Sequence, residues 1–317
     1  MPLLRPLTGI LTVCTVAIAA DTCAQSYPNK PIRIATITAG SGVDLIARTF
    51  AQGISGPLGQ PIVVDNRGSI IAGEIVSKAA PDGYTLLVDS SSFWLAPLLQ
   101  SVPYDPMRDF TPISQLVAAP LILVASPAAP VNSVKELVAL AKAKPGSLNY
   151  ASGSTGGSGH LTGELFKSMA GVNIVRVAYK GSILALPDLT SGSVHMMFES
   201  ATSILPLVKA GKMKGLGVTS LRPTALVPGM PTVSETVPGF EVVNVNSMLG
   251  PAKMPTAIVR RMHQEIARFV ATNEAREKLL ASGQDAIGGS PEELAATMKA
   301  ETAKWSKVIK DAGIRAN

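Results

Sequence analysis

The sequence predicts an α/β fold in which strands alternate with helices through two successive halves. Short apolar runs such as 32–37 and 121–125 are separated by longer stretches with apolar residues at helical spacing. Two loops rich in glycine and serine, 38–43 and 152–159, each follow a predicted strand and precede a predicted helix. The length of 317 residues is enough for two domains with separate cores.

The individual elements follow from these patterns in chain order. The predicted strands are 32–37, 61–65, 84–88, 121–125, 147–151, 194–198 and 214–218. The predicted helices are 43–55, 74–80, one after Ser133, 160–169, and two that begin at Pro255 and Ser290. Ile46, Phe50 and Ile54 share one face of the first helix, and Ser133 with Glu136 forms a predicted N-terminal cap. This alternation favours layers with largely parallel sheets.

The N-terminal segment, residues 1–24, has the pattern of a secretory signal peptide. Arg5 precedes an apolar stretch over 7–20, and small and polar residues follow. We predict cleavage after Ala24, with cleavage after Ala20 as the alternative. Both cysteines, Cys14 and Cys23, fall in this segment, so the exported chain is expected to have no disulfide, thiolate nucleophile or cysteine-bound metal.

Composition and charge argue against nucleic acid as a partner. The 28 Lys and Arg residues exceed the 22 Asp and Glu residues by only 6, and they are scattered along the chain. Aromatic residues make up 4% of the sequence, which is too few for a base-stacking surface. A modest positive charge of this kind favours anionic partners only weakly.

The two glycine- and serine-rich loops predict an anion-binding site. Ligands of open α/β sheets bind beyond the carboxyl ends of the strands, where unpaired N–H groups at helix N-termini attract negative charge. One loop in each half suggests a pair of anion-binding loops that face each other across a cleft. The alternative is that both are ordinary glycine-rich turns.

The enzyme motifs that such loops can carry are all incomplete. A dinucleotide fingerprint is broken at Leu45, a Walker-type loop at Pro206, and a serine-hydrolase elbow at His160. The three histidines show no metal-ligand spacing. We expect no catalytic residue, metal or cofactor; His160 is predicted to form a hydrogen bond at a helix N-terminus, and a hydrolase using Ser158 and His160 is the disfavoured alternative.

A series of short motifs carries a resemblance to a known family. These motifs are Y-P-N-K-P-I-R-I (27–34), A-G-S-G-V-D-L-I-A-R (39–48), L-G-Q-P-I-V-V-D-N-R (58–67), A-A-P-D-G-Y-T-L-L (79–87), Y-K-G-S (179–182) and K-W-S-K-V-I-K-D-A-G-I (304–314). In this order they resemble the solute receptors of tripartite tricarboxylate transporters, the Bug-type receptors. The resemblance extends over nearly the whole chain after the N-terminal segment.

The resemblance implies a periplasmic binding protein of the two-domain clamshell type (type II), with two mainly parallel sheets flanked by helices and a ligand cleft between the domains. Domain 1 is expected to combine 27–124 with 246–317, and domain 2 to comprise 125–245. The implied function is non-enzymatic binding of a small carboxylate, which is a dicarboxylate or tricarboxylate, an acidic amino acid or an aromatic acid.

The implied partners are the membrane subunits of a tripartite tricarboxylate-type transporter, and the expected state is a monomer. The alternative is a ligand-sensing co-receptor that docks on the extracytoplasmic domain of a membrane sensor. A neighbouring transporter or sensor gene would separate the two, because the fold and the cleft are the same in both.

The loops and the resemblance together give the candidate ligand residues. They are Thr38, Ala39, Ser41, Gly42, Val43, Asp44, Ser90, Ser152, Ser154, Gly157, Ser158, Lys180 and Glu199. For Asp44 and Glu199 the alternatives are a complement to the helix dipole and a solvated strand-end carboxylate, respectively. Val43, Ile183 and Val245 replace residues typical of the family, which indicates a more apolar acid or a receptor that has lost its transport role.

Overall fold

A computed structural model describes residues 27–153 and 155–314 of the chain. The predicted signal segment, 1–24, and the candidate residue Ser154 lie outside the described residues. Within the described ranges, no helix combines the length and the apolar character needed to cross a membrane.

Ten strands and ten α-helices alternate along the described chain. The strands are β1 (Ile32–Thr36), β2 (Ile62–Asn66), β3 (Thr85–Ser90), β4 (Phe110–Ala125), β5 (Asn149–Ser152), β6 (Val175–Ala178), β7 (Met196–Ser200), β8 (Lys214–Val218), β9 (Val243–Pro251) and β10 (Asp285–Gly289). The helices are α1 (Gly42–Leu58), α2 (Ser69–Ser77), α3 (Ser92–Leu95), α4 (Val134–Ala143), α5 (Ser158–Ala170), α6 (Leu186–Ser191), α7 (Ala201–Lys209), α8 (Thr256–Ala271), α9 (Asn273–Ala281) and α10 (Pro291–Asp311).

The strands form one mixed sheet in the order β2-β1-β3-β9-β4-β7-β5-β6, with β8 and β10 also paired to β4. The pairs of β1 with β2 and β3, and of β5 with β6 and β7, are parallel. The pairs that involve β4 or β9 are antiparallel. The α/β class is confirmed, but the expected pair of mainly parallel sheets is a single mixed sheet, because β4 and β9 run through its centre and join the two parallel ends.

Strand β4 connects the two ends of the sheet and is much longer than predicted. It spans 16 residues, whereas the sequence predicted only 121–125. Pro112 and Pro120 concealed the first part, since proline usually excludes a central strand. In the structure the register with β9 shifts next to Pro112, and Pro120 lies where β4 leaves β9 and Leu121–Ala125 pair with β7.

The helices cover the sheet with the faces that the sequence predicted. Ile46, Phe50 and Ile54 of α1 are buried against Ile32 and Ile34 of β1. A separate cluster fills the other end of the sheet, with members from β4, β5, β7, β8, α6 and α7. A third cluster contains residues of both ends and includes the apolar face of α5. The first core therefore positions α1, and the core shared by both ends positions α5.

Local signals explain where the helices begin. The Ser133 hydroxyl accepts a hydrogen bond from the Glu136 amide at 3.1 Å, as predicted for the start of α4. Ser290 caps α10 in the same way. Helix α2 begins at Ser69 rather than at residue 74, and the sequence did not predict β6 or β10. Both strands are short, and β10 contains Gly288 and Gly289, which weaken the strand signal.

Candidate functional site

The first loop, residues 37–41, connects β1 to α1 and is organised by a carboxylate. The Asp44 carboxylate accepts hydrogen bonds from the Gly40 amide and the Asn66 side-chain amide, both at 2.8 Å. Arg48 forms an ion pair with Asp44 at 3.0 Å. The Ser41 hydroxyl caps α1 by accepting from the Asp44 amide at 3.2 Å. Asp44 therefore holds the loop in shape and has its acceptor capacity engaged by the protein.

These contacts set the protonation state of Asp44. Burial raises the pKa of this carboxyl, but hydrogen bonds from Asn66, Gly40 and Arg48, together with the Arg48 charge, more than offset burial and bring the pKa below its ordinary value. Asp44 is consequently ionised at neutral pH. The first loop contains a fixed negative charge that is paired with an exposed arginine.

The second loop, residues 153–157, connects β5 to α5 and is organised by a guanidinium. Arg176 of β6 donates to the Ser152 hydroxyl at 2.7 Å, to the Gly153 carbonyl at 3.0 Å and to the Thr155 hydroxyl at 3.3 Å. Such a fork holds three points of the loop with one side chain. The second loop therefore contains a fixed positive charge.

A buried histidine completes the second loop. The Gly156 amide donates to Nδ1 of His160 at 3.0 Å, which confirms the predicted hydrogen bond at the helix N-terminus. An imidazole nitrogen accepts a hydrogen bond only when it is unprotonated. Burial, followed by the charge of Arg176, lowers the pKa of His160 to about 4, so the ring is neutral at physiological pH.

The N-termini of α1 and α5 border a common cavity of about 370 Å³. This volume lies in the usual range of small-molecule pockets, about 300–1,000 Å³. Its wall combines serine hydroxyls, amide side chains and apolar groups from both ends of the sheet. The lining residues are Gly42, Val43, Ile46, Ser90, Ser91, Ser92, Leu95, Leu99, Ala119, Gly156, Gly157, Ser158, Leu161, Ser200, Val242, Val243, Asn244, Asn246, Gln284, Glu301 and Trp305.

We call the cavity of about 370 Å³ the main cavity because both helix N-termini border it. A smaller cavity of about 180 Å³ shares Gly157 and Ser158 with it. Glu199 lines it, and its carboxylate accepts a hydrogen bond from the Ser200 amide at 2.8 Å. Gly159 and Phe198 also line it. The first turn of α5 therefore separates two cavities, and Glu199 faces the smaller one.

The structure brings together some of the candidate residues and separates others. Gly42, Val43, Ser90, Gly157 and Ser158 line the main cavity. Ser41, Asp44 and Ser152 support the loops through the contacts given above. Thr38, Ala39 and Lys180 are exposed and line none of the cavities described here. Ser154 is not described, so the structure gives no position for it.

Several residues of the site were not found from the sequence. Arg176 and Trp305 lie in segments with no ligand signal, because β6 was not predicted and the segment after Ser290 was predicted only to form a helix. Asn244 and Asn246 face the main cavity, while Val245 between them lies on the back of β9. Alternation along a strand is the signal that would have separated these three positions.

No metal site is apparent within 27–153 and 155–314, since no group of three His, Cys, Asp or Glu side chains converges there. The amides of Gly42 and Val43 in α1, and of Ser158, Gly159 and His160 in α5, have no protein acceptor among the described residues. Free N–H groups at two helix N-termini, together with serine hydroxyls, suit an organic anion.

Comparison with known proteins gives a consistent result. The family described as "Tripartite tricarboxylate transporter family receptor" matches residues 46–314. A UPF0065 protein from the tcbD-tcbE intergenic region of Pseudomonas sp. (strain P51) is 35% identical over 320 residues, covering 99% of this chain and 95% of that protein. BugT of Bordetella pertussis is 31% identical, covering 96% and 95%. The structure of R. palustris Rpa4515 with adipate superposes with a TM-score of 0.73 at 34% identity, covering 92% of this chain and 100% of that chain.

These matches extend over almost the full length of both partners, so they concern the whole architecture and not one shared motif. The resemblance found in the sequence motifs is confirmed. The chain belongs to the tripartite tricarboxylate transporter receptor family, whose members are periplasmic solute-binding receptors and not enzymes.

Proposed function

We propose that this protein binds a small organic carboxylate in the main cavity and delivers it to the membrane subunits of a tripartite tricarboxylate-type transporter. The observation that carries the proposal is the cavity bordered by two helix N-termini, each with first-turn amides that have no acceptor within the part of the chain that the structure describes. The adipate bound to Rpa4515, a relative of similar length, supports a carboxylate as the ligand.

The ligand carboxylate would be held by backbone groups and hydroxyls and not by a basic side chain. We assign this role to the first-turn amides of α1 and α5 and to the hydroxyls of Ser90 and Ser158. Each hydrogen bond to a charged group contributes about 1.5–3 kcal/mol net. Three or four of them, offset by desolvation and closure, correspond to about −8 kcal/mol, which is a micromolar Kd.

We further propose that the two ends of the sheet act as two domains that close on the ligand. Domain 1 combines 27–124 with 246–317, and domain 2 comprises 125–245. Strands β4 and β9 are the two connections between them, so a hinge motion would concentrate there. A ligand that touches both helix N-termini binds the closed form better and shifts the population toward it.

The same proposal places the protein in the periplasm after removal of residues 1–24. Mass spectrometry of the protein purified from its native periplasm would give the position of cleavage. Processing after Ala24 or after Ala20 supports export by this route, and an intact N-terminus contradicts it.

The test of the function is a binding screen of the processed protein. Thermal shift against dicarboxylates, tricarboxylates, acidic amino acids, aromatic acids and aliphatic monoacids identifies candidates, and calorimetry gives their Kd. A ligand at 100 times its Kd adds about 2.7 kcal/mol to the free energy of unfolding, which raises Tm by a few degrees. Absence of any shift across all acids would contradict the proposal.

Delivery to a transporter needs a separate measurement. Uptake of the best-binding acid, labelled with ¹⁴C, is compared in cells with and without the gene for this receptor. Loss of uptake on deletion supports the transport role. Unchanged uptake despite tight binding in vitro contradicts transport and favours a sensing role.

A further inference from the structure

Asp89 is a buried carboxylate directly behind the wall of the main cavity. It precedes Ser90 on β3 and is 1% exposed. One carboxylate oxygen accepts a hydrogen bond from the Ser90 amide at 2.7 Å, and the other accepts one from the Ser69 hydroxyl at 2.7 Å. The Ser90 hydroxyl lies 3.5 Å from the first of these oxygens, and Ser90 lines the main cavity. A single hydroxyl therefore separates Asp89 from the space that we assign to the ligand.

No basic side chain compensates the charge of Asp89. Within 27–153 and 155–314, no Lys, Arg or His forms an ion pair or a hydrogen bond with it. The elements packed against β3 are α1, α2, α3, β1 and β9. On these elements and in the segments next to them, the charged side chains pair with one another: Asp44 with Arg48, Asp65 with Arg33 and Arg67, and Glu74 with Lys78.

The other polar groups near Asp89 are neutral hydroxyls. Ser247 is the register partner of Asp89 on β9, so the two side chains project from the same face of the sheet. Burial, followed by the charge of Asp89, raises the pKa of Tyr104, so this phenol stays protonated. The Ser247 and Tyr104 hydroxyls are buried and have no hydrogen-bond partner among the described residues. Asp89 therefore has only uncharged neighbours.

A carboxylate in such surroundings binds a proton more readily than one in water, because burial disfavours its charged form. Burial raises the pKa of Asp89 to about 6, and the hydrogen bonds from Ser69 and Ser90 offset burial only in part. The free protein is thus expected to have Asp89 largely ionised at pH 8 and partly protonated at pH 6.

A ligand carboxylate at Ser90 would add a second negative charge close to Asp89. A hydrogen bond from the Ser90 hydroxyl to a ligand oxygen has a length of about 2.7 Å, which puts that oxygen no more than about 6 Å from Asp89. Like charges at this distance disfavour ionisation of both groups. Asp89 relieves the repulsion by taking up a proton, whereas Asn66, Gly40 and Arg48 keep Asp44 ionised.

We infer, resting on the proposed function, that Asp89 is a proton site coupled to the ligand: binding of an anionic acid at Ser90 is accompanied by uptake of a proton from solvent onto the Asp89 carboxylate. The protonated oxygen donates to the Ser69 hydroxyl oxygen, and the other oxygen keeps the hydrogen bond from the Ser90 amide. Both protonation states therefore fit the same local structure. Coupled uptake makes the affinity for an anionic acid rise as the pH falls from 8 to 6.

Calorimetry of the wild type tests this coupling. The probe is the acid that binds most tightly among adipate, malate, citrate, glutamate, benzoate and hexanoate, which represent the classes of the screen. Its Kd is expected to be about fivefold lower at pH 6 than at pH 8. At pH 6.5, binding should take up about half a proton, which is measured as the difference in binding enthalpy between PIPES and imidazole buffers.

The possible results separate this inference from the proposed function. Binding with no proton uptake and no change of Kd beyond the titration of the acid itself overturns the inference and leaves the proposed function intact. An absence of binding by all six acids overturns the proposed function and the inference with it.

The variant Asp89→Asn tests whether Asp89 takes up the proton. Asparagine is a neutral analogue of the protonated side chain, since its Oδ1 accepts from the Ser90 amide and its Nδ2 donates to the Ser69 hydroxyl. We expect the variant to bind the probe about tenfold more tightly than the wild type at pH 8 and to lose most of the proton uptake. A purely structural role of Asp89 predicts weaker binding at both pH values. Weaker binding, or proton uptake equal to that of the wild type, overturns the inference.

Asp82→Asn is the matched control. Asp82 lies in the turn before β3, at the opposite end of this strand from Ser90, and its side chain is half-exposed. The substitution keeps an acceptor for the Tyr84 amide, so affinity and proton uptake are expected to equal those of the wild type. A gain of affinity as large as that of Asp89→Asn attributes the effect to net charge and overturns the inference. If Asp89→Asn does not fold, proton uptake by the wild type decides alone.

Discussion

The first and second loops occupy equivalent places after parallel strands, but they are organised by opposite charges. The Asp44 carboxylate holds the first loop by accepting hydrogen bonds, and the Arg176 guanidinium holds the second by donating them. The carboxylate of Asp44 lies within the first turn of its helix, where it opposes the approach of another anion. The guanidinium of Arg176 adds a positive charge behind the second loop, where it assists that approach.

The two helices also differ in their caps. The Ser41 hydroxyl caps α1 by accepting from the Asp44 amide, whereas the N-cap residue of α5 is Gly157, which has no side chain to act as a cap. Among the described residues, two first-turn amides of α1 and three of α5 have no protein acceptor. We therefore expect the second loop to supply most of the affinity for a carboxylate, while the first loop mainly shapes the cavity wall. Two similar sequence patterns thus lead to unequal sites.

Replacing Arg176 is expected to have the largest effect on acid affinity and therefore tests the difference between the two loops most directly. Arg176→Met is expected to weaken binding of the best acid in the screen about 100-fold, which is about 2.7 kcal/mol, because three loop contacts and a nearby charge are lost together. Asp44→Asn keeps the side-chain shape and is expected to change affinity by no more than about fivefold, about 1 kcal/mol. Calorimetry measures both.

The control for this prediction is Arg260→Met, which removes an exposed arginine of α8. The affinity of Arg260→Met for the same acid is expected to stay within twofold of the wild-type value. Circular dichroism of Arg176→Met should retain the wild-type spectrum. Equal losses in Arg176→Met and Asp44→Asn would show that the loops contribute alike and would remove the asymmetry.

The histidine of the second loop gives a pH dependence of stability in the weakly acidic range, above the range in which Asp44 of the first loop titrates. Because burial lowers the pKa of His160 to about 4, the unfolded chain takes up a proton between about pH 6.5 and 4 that the folded protein does not. Relative to His160→Asn, the wild type should lose at most about 1.4 kcal/mol of unfolding free energy per pH unit as the pH falls through this window. Urea unfolding at pH 7, 6 and 5 measures the difference.

Subtracting the unfolding free energy of His160→Asn from that of the wild type separates the contribution of His160 from those of other titrating groups. Burial raises the pKa of Asp89 to about 6, so that the protonated side chain stabilises the folded protein at low pH. This stabilisation is lost as the pH rises through 6. That effect has the opposite sign but is common to both proteins. A difference between wild type and variant that is constant from pH 7 to 5 would contradict a buried neutral His160.

Removing the cap of α1 tests the difference between the two helices through the stability of the protein. Ser41→Ala is expected to lower the free energy of unfolding by about 1 kcal/mol, because the Asp44 amide loses its acceptor. Affinity for the acid should change less than threefold, since the freed amide replaces what the altered loop loses. Denaturant unfolding and calorimetry on the same sample test the two statements, and a large loss of affinity with unchanged stability would reverse the roles assigned here.

Adding a cap to α5 is the reciprocal change and has the smallest expected effect. Gly157 has φ −68° and ψ 161°, which any residue adopts, so a serine fits the backbone. Gly157→Ser should raise stability by a few tenths of a kcal/mol and weaken acid binding about threefold, because its hydroxyl engages one of the free amides. Tighter binding by this variant would contradict the role of uncapped amides.

The positions of both loops could be predicted from the sequence because strand-loop-helix order is a local property. Glycine and serine after a β-branched run, followed by helical spacing of Ile46, Phe50 and Ile54, depend only on neighbouring residues. The caps at Ser133 and Ser290 are local for the same reason, and both are present. The prolines of β4 misled the prediction, because a change of partner strand is not a local event.

The sequence by itself thus determined the α/β alternation, the two strand-to-helix loops and the family. Tertiary structure decided which amides remain free, because Arg176 reaches the second loop from another strand and Asn66 reaches Asp44 across 22 positions. It also placed Glu301 of the last helix on a cavity wall otherwise formed far away in the chain. Charge complementarity depends on distances in space. Spacing along the chain does not specify these distances, because they are set by the way β4 and β9 join the two ends of the sheet.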